Sequence, residues 1–157
     1  RAGELLALRL DDYNREEKTI TVSKTLTRVK GGLIITTPKT EKSNRTIKLP
    51  LIAAKQLEQH IATLYEPKGD DRIFFSLSHQ KLGICLKQDA EKAGVKKIRV
   101  HDLRHSHASL LINNNVNIKA VSDRLGHEDI QTTLNVYSHL YEQQQSNIAD
   151  LLDNLLK

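Results

Sequence analysis

Apolar residues follow helical spacing over most of the chain and a β-branched, alternating texture between Thr19 and Leu49. Arg1 to Leu10 reads as a helix with Leu5, Leu6 and Leu8 on its apolar side, closed by the turn-forming Asp11-Asp12-Tyr13-Asn14. Three strands are expected next: Thr19–Val22, then Leu33–Thr37 beyond a Gly31-Gly32 turn, then Arg45–Leu49. Pro50 opens a helix to about Tyr65, with Ala54, Leu57, Ile61 and Leu64 in register. Ile73-Phe74-Phe75 is expected to be a short buried segment, and a helix from about His79 to Ala93 should stop at Gly94.

The stretch His101 to Leu111 organises the rest. Leu103, His107, Leu110 and Leu111 recur at i, i+4, i+7 and i+8, which predicts a helix burying that stripe. His101, Arg104, His105 and Ala108 share a neighbouring face. Asn117 caps a further helix carrying Ile118, Val121 and Leu125, which Gly126 ends before His127. A short helix from about Ile130 to Asn135 leads to Tyr137, and Ile148, Leu151, Leu152, Leu155 and Leu156 form one stripe in a last helix over 146–156. The expected fold is α+β: a mostly helical single domain, residues 1–157, with a small antiparallel β-sheet near its start.

Charge sharpens this picture. The net charge is +5 and the isoelectric point about 9.3, which favours a polyanionic partner. Between Lys18 and Lys48 there are eight basic residues and one acidic, Glu41, so the sheet carries much of the positive field. A single cysteine, Cys85, rules out an internal disulfide framework and suits a reducing cytosol. Flanked by Ile84 and Leu86, it is expected to be a buried small hydrophobe. No apolar run approaches membrane-spanning length, and the start at Arg1, inside a helix, reads as a segment cut from a longer protein.

Four places offer groups that bind or attack a phosphate: Arg1, Lys39, His101 with Arg104, and His127 followed ten residues later by Tyr137. A guanidinium beside an imidazole suits a phosphate, because its planar fork grips two oxygens. Other readings exist for the same residues. The histidines could simply cap and line a core helix, and His101 with His105 has the four-residue spacing of a helical zinc pair. Arg104 opposes the zinc reading, since a fixed cation repels a dication, and the acidic residue of a metalloprotease helix is missing.

In this order the set resembles the catalytic domain of the tyrosine recombinases, the phage integrase family, of the kind carried by phages and integrative elements of Gram-positive bacteria. Arg1-Ala2-Gly3-Glu4-Leu5 is similar to the first arginine box, and Pro38-Lys39-Thr40 with Ser43–Ile47 to the hairpin bearing a catalytic lysine. His101-Asp102-Leu103-Arg104-His105 matches the His-x-x-Arg box. Leu125-Gly126-His127 and Thr132–His139 match the second histidine and the nucleophile segment. Leu10 stands where many relatives have tryptophan, and the upstream core-binding and arm-binding domains of such integrases lie outside this sequence.

The resemblance implies DNA strand cleavage by Tyr137 through a 3′-phosphotyrosyl link. It casts His101 as proton acceptor, Arg1 and Arg104 as binders of the phosphate oxygens, His127 as hydrogen-bond donor and Lys39 as general acid. No metal or other cofactor is implied, because paired guanidinium groups supply the positive charge. The implied partners are double-stranded attachment-site DNA, other protomers in a synaptic tetramer, and an excisionase or DNA-bending protein, all in the bacterial cytoplasm. The last helix could dock on its own core or on a neighbouring protomer. Two other functions share features of the pattern: a type IB topoisomerase-like strand transferase, and a DNA-binding module without catalysis.

Overall fold

The computed structural model describes residues 1–37, 44–138, 152 and 155. The chain is α+β, as expected, and its packing divides it into two compact units, Arg1–Leu103 and Arg104–Lys157. In the first, helix α1 (Ala2–Ala7) and a 3-10 turn (Leu10–Asp12) precede strands β1 (Tyr13–Asn14), β2 (Thr19–Val22), β3 (Thr25–Val29), β4 (Gly32–Thr36) and β5 (Arg45–Lys48). Helices α2 (Leu51–Ala62) and α3 (His79–Lys92) follow.

The strands form two antiparallel sheets rather than one: β1-β2-β5, and the hairpin β3-β4. Strand β3 was not expected. Its partner register, Thr25 with Thr36 through Val29 with Gly32, leaves a two-residue turn at Lys30-Gly31. Gly31 adopts φ 104°, a left-handed conformation that a two-residue hairpin turn demands and glycine supplies without strain. Tyr13, expected in a turn, instead pairs with Ile20 and is buried.

Two apolar clusters support this unit. Leu8, Tyr13, Leu57, Ile61 and Ile73 make one, and Leu6, Ala7 and Leu26 the other. The second brings α1 against β3 so closely that a Cβ on Gly3 would lie 2.5 Å from Thr25 Oγ1 and 3.0 Å from the Leu26 carbonyl. The second position after Arg1 therefore has to be glycine.

Two expectations about burial are corrected here. Cys85 is exposed, because α3 turns Leu82, Leu86 and Ala90, spaced four apart, toward the interior and Cys85 lies off that face. In Ile73-Phe74-Phe75 only Ile73 is fully buried; its N–H bonds the Leu8 carbonyl at 2.9 Å, and Phe75 is 62% exposed. Phe74 stacks on His60, ring centroids 5.2 Å apart.

Helix α4 (Asp102–Asn113) carries the boundary between the units, and α5 (Ile118–Leu125) follows in the second. Residues 130–138 are again helical. The core of this unit is Ala108, Ile112, Val121, Leu125 and Tyr137. The leucine stripe expected to be buried on α4 is not the buried one. Leu110 is 62% and Leu103 47% exposed, whereas Ala108 and Ile112 are fully buried. The face at Ala108 and Ile112, four residues apart, turns inward and packs with Val121, Leu125 and Tyr137. The helix expected over 146–156 lies outside the described residues apart from Leu152 and Leu155, both exposed. No helix among the described residues is long and apolar enough to cross a membrane.

Candidate active site

Of the six residues singled out, Arg1 and His101 fall in the first unit and Arg104, His127 and Tyr137 in the second. Lys39 lies outside the described residues.

Arg1 is held by Glu4, one turn on in α1, through a 2.8 Å hydrogen bond from its guanidinium. Glu4 is buried, and a second cation reaches it: Arg45 of β5 donates at 2.7 Å. Burial by itself raises a carboxyl pKa. Here the hydrogen bond and charge of Arg45, with the hydrogen bond from Arg1, outweigh it and hold Glu4 at about 2. Neither Glu4 nor Arg45 was singled out from the sequence. The signal for Glu4 was its place one helical turn from Arg1; Arg45 gave none, since strand pairing brings it from far along the chain.

Arg45 is one of the eight cations between Lys18 and Lys48. Lys18 also meets a carboxylate, Glu58, at 3.0 Å, and Lys24 pairs with Asp12. Part of the positive charge expected on the sheet is thus turned toward the protein. Tyr13 donates to the same Glu58 at 2.8 Å, and burial together with that carboxylate pushes its pKa up to about 12.

His101 is exposed and directly precedes α4. The chain is fixed there by Asp102, whose carboxylate accepts from the Arg99 N–H at 2.9 Å and from its guanidinium at 2.8 Å.

In the second unit the three residues are tied together through α5 and the segment after it. Arg104 donates to the Leu125 carbonyl at 2.6 Å, at the negative end of the α5 dipole. Gly126 closes α5 with φ 66° and ψ 46°. Its N–H reaches the Asp123 carbonyl and the His127 N–H the Ser122 carbonyl, the paired bonds of a Schellman cap. Glycine takes that left-handed turn without the strain that a Cβ brings, which favours it before His127.

Asp129 caps the next helix, accepting from the Gln131 N–H at 2.9 Å. That helix presents one buried face, with Thr133 and Tyr137 four residues apart. Thr133, fully buried, lies with its hydroxyl 2.7 Å from His127 Nδ1. Tyr137, 4% exposed, places its hydroxyl 2.9 Å from His105 Nδ1. Burial raises the Tyr137 pKa and the charge of Arg104 partly offsets it, so the phenol stays protonated at neutral pH. His107 is shifted the other way: burial, then the charges of Arg124 and Arg104, lower its pKa, and Arg124 donates to its Nε2 at 3.2 Å. Thr133 was not singled out from the sequence, although its four-residue spacing from Tyr137 was visible. Among the described residues no three histidine, cysteine or carboxylate side chains gather as metal ligands would.

A family model described as the phage integrase family matches residues 1–144. The chain belongs to that family. Within it, the chain is 34% identical over 168 residues to the ICEBs1 integrase of Bacillus subtilis (strain 168), covering 99% of this chain and 46% of that one. It is also 34% identical over 172 residues to the integrase of Staphylococcus phage L54a, covering 99% and 49%. The phage integrase family chain described here thus spans about half the length of these relatives. Its fold is similar to the Tn1549 transposon integrase in complex with transposon right end DNA, with TM-score 0.78, 24% identity, and 95% of this chain and 55% of that one covered. The XerA recombinase is also similar in fold: TM-score 0.69, 23% identity, 94% and 51% covered.

Proposed function

We propose that residues 1–157 form the catalytic domain of a site-specific DNA recombinase that integrates or excises a phage or mobile element. Its substrate is double-stranded DNA at attachment sites. The working assembly is a synaptic tetramer of protomers, with an excisionase or DNA-bending protein as a further partner in the bacterial cytoplasm. Membership of the phage integrase family supports this reading, as does the name of the ICEBs1 integrase. So does the Tn1549 integrase, whose solved structure is a complex with transposon-end DNA.

The observation that carries it is chemical. Arg104, His127 and Tyr137 lie in one compact unit, each side chain held by a hydrogen bond, and the tyrosine is a buried phenol with a raised pKa. Such a phenol attacks a phosphodiester only where its proton is taken and cations balance the phosphate's charge. In the proposed step a Tyr137 Oη–phosphorus bond forms and the phosphorus–O5′ bond breaks. His101 takes the phenol's proton and Lys39 gives one to the leaving 5′-oxygen. Arg1 and Arg104 bind the non-bridging oxygens, and His127 donates to the same phosphate. The ester retains the bond energy, so attack by a 5′-hydroxyl of another duplex reseals the strand in a new partner.

Full-length protein should form a covalent adduct on a nicked duplex carrying the element's own end sequence. Tyr137→Phe should abolish the adduct while DNA binding persists. An adduct that survives the substitution, or maps to Tyr141, would overturn the assignment.

A further inference from the structure

We infer that His105 is a positioning residue for the nucleophile: its Nδ1 fixes the hydroxyl of Tyr137 on helix α4, beside Arg104. The inference rests on the reading of Tyr137 as nucleophile. Its first support is the anchoring of the tyrosine. The ring packs with Ala108, Ile112, Val121 and Leu125, so the side chain is located by the core of its unit. Only the hydroxyl's direction is left to be set.

The second support is the contact itself. The His105 and Tyr137 ring centroids are 6.1 Å apart and the planes tilt by 53°, while Nδ1 and the hydroxyl are 2.9 Å apart. They meet through the hydrogen bond and not by stacking. A phenol hydroxyl both donates and accepts, and a single hydrogen bond to Nδ1 in either sense fixes its direction.

The third support is the place of His105 on α4. It follows Arg104, whose guanidinium is tied at 2.6 Å to the Leu125 carbonyl. One helix therefore sets both the arginine proposed to bind the phosphate and the imidazole that orients the attacking oxygen. A hydroxyl held by His105 keeps one direction instead of rotating freely about its C–O bond. Precise aim of this kind is worth a large rate factor because an oxygen free to rotate spends little time aligned.

The test is single-turnover adduct formation by full-length protein on the nicked duplex, with Tyr137→Phe as control. His105→Ala should slow adduct formation by about 10- to 100-fold with DNA affinity within about twofold of wild type. His105→Asn, whose side-chain amide reaches the position of Nδ1, should recover the rate to within about fivefold. In parallel, in the 15N spectrum of histidine-labelled protein, Tyr137→Phe should shift the Nδ1 resonance of His105. That reading needs no activity from the histidine variants and holds whether or not His105→Ala is stable. A wild-type or faster rate in His105→Ala, an asparagine variant as slow as the alanine one, or an Nδ1 resonance indifferent to Tyr137→Phe would each overturn the positioning role. An adduct in the Tyr137→Phe control would instead overturn the nucleophile reading.

Discussion

In the first unit the arginine of the leading motif is gripped by a buried carboxylate, whereas in the second Arg104 is gripped by a main-chain carbonyl. Glu4 is shared by Arg1 and Arg45, so charge meets charge, and the arrangement depends on Glu4 remaining ionised. The Leu125 carbonyl and the hydrogen bonds at His127 and Tyr137 hold their partners by direction. A carboxylate holds by charge and can be titrated; a carbonyl holds by shape and cannot. The cores differ likewise. The first unit packs helices against sheet in two clusters, and the second is one helical cluster that includes Tyr137 itself.

The largest expected effect separates these cores. Ile112→Ala removes a fully buried side chain of the second unit and should cost about 2–5 kcal/mol. Hydrogen exchange should rise most in α4, α5 and residues 130–138. Leu57→Ala should do the converse, raising exchange in α2 and β2. Uniform loss of protection after either change would break the distinction and make the two cores one cooperative unit.

Next comes the titration of the two grips. The Glu4 pKa is depressed from its ordinary 4.5 to about 2. Its contribution is therefore fully present above pH 4.5 and is lost as the pH falls toward 2, by an amount on the order of 2–3 kcal/mol. In Glu4→Gln protein, stability measured by denaturant unfolding should be lower at pH 7, and the fall between pH 4.5 and 2 should be shallower than in wild type. An unchanged acid limb would mean that the carboxylate does not carry the grip.

The smallest expected effect on stability tests the grip by direction. Thr133→Val keeps the buried volume and removes the hydroxyl next to His127 Nδ1, so stability should change by only about 1 kcal/mol. Adduct formation should nevertheless slow by about tenfold or more, because the imidazole loses the contact that orients it. Equal, small changes in both quantities would reduce Thr133 to a core residue.

The motifs and most of the helices were legible in the sequence because each is a local pattern. A glycine closes α5, a proline opens α2, and His127 and Tyr137 stand ten residues apart on either side of a capping aspartate. The extra strand was not legible. Thr25–Val29 resembles its neighbours in composition, and only its pairing with β4 makes it a strand. The exposure of Cys85 was misread for a related reason: apolar neighbours in sequence say little about which face of a helix a partner will cover.

By itself, then, the sequence determined the family, the order of the elements and the candidate reactive groups, since all three are written in residue types at short spacings. The partners of those groups were decided by tertiary structure. Arg45 reaches Glu4 across 41 positions and Tyr137 reaches His105 across 32, separations at which no helical or strand period carries information. The choice of buried face on α4 was also settled by packing. Ala108 and Ile112 join Val121, Leu125 and Tyr137 in the core, while Leu103 and Leu110 stay exposed, a choice that the helix's own spacing leaves open.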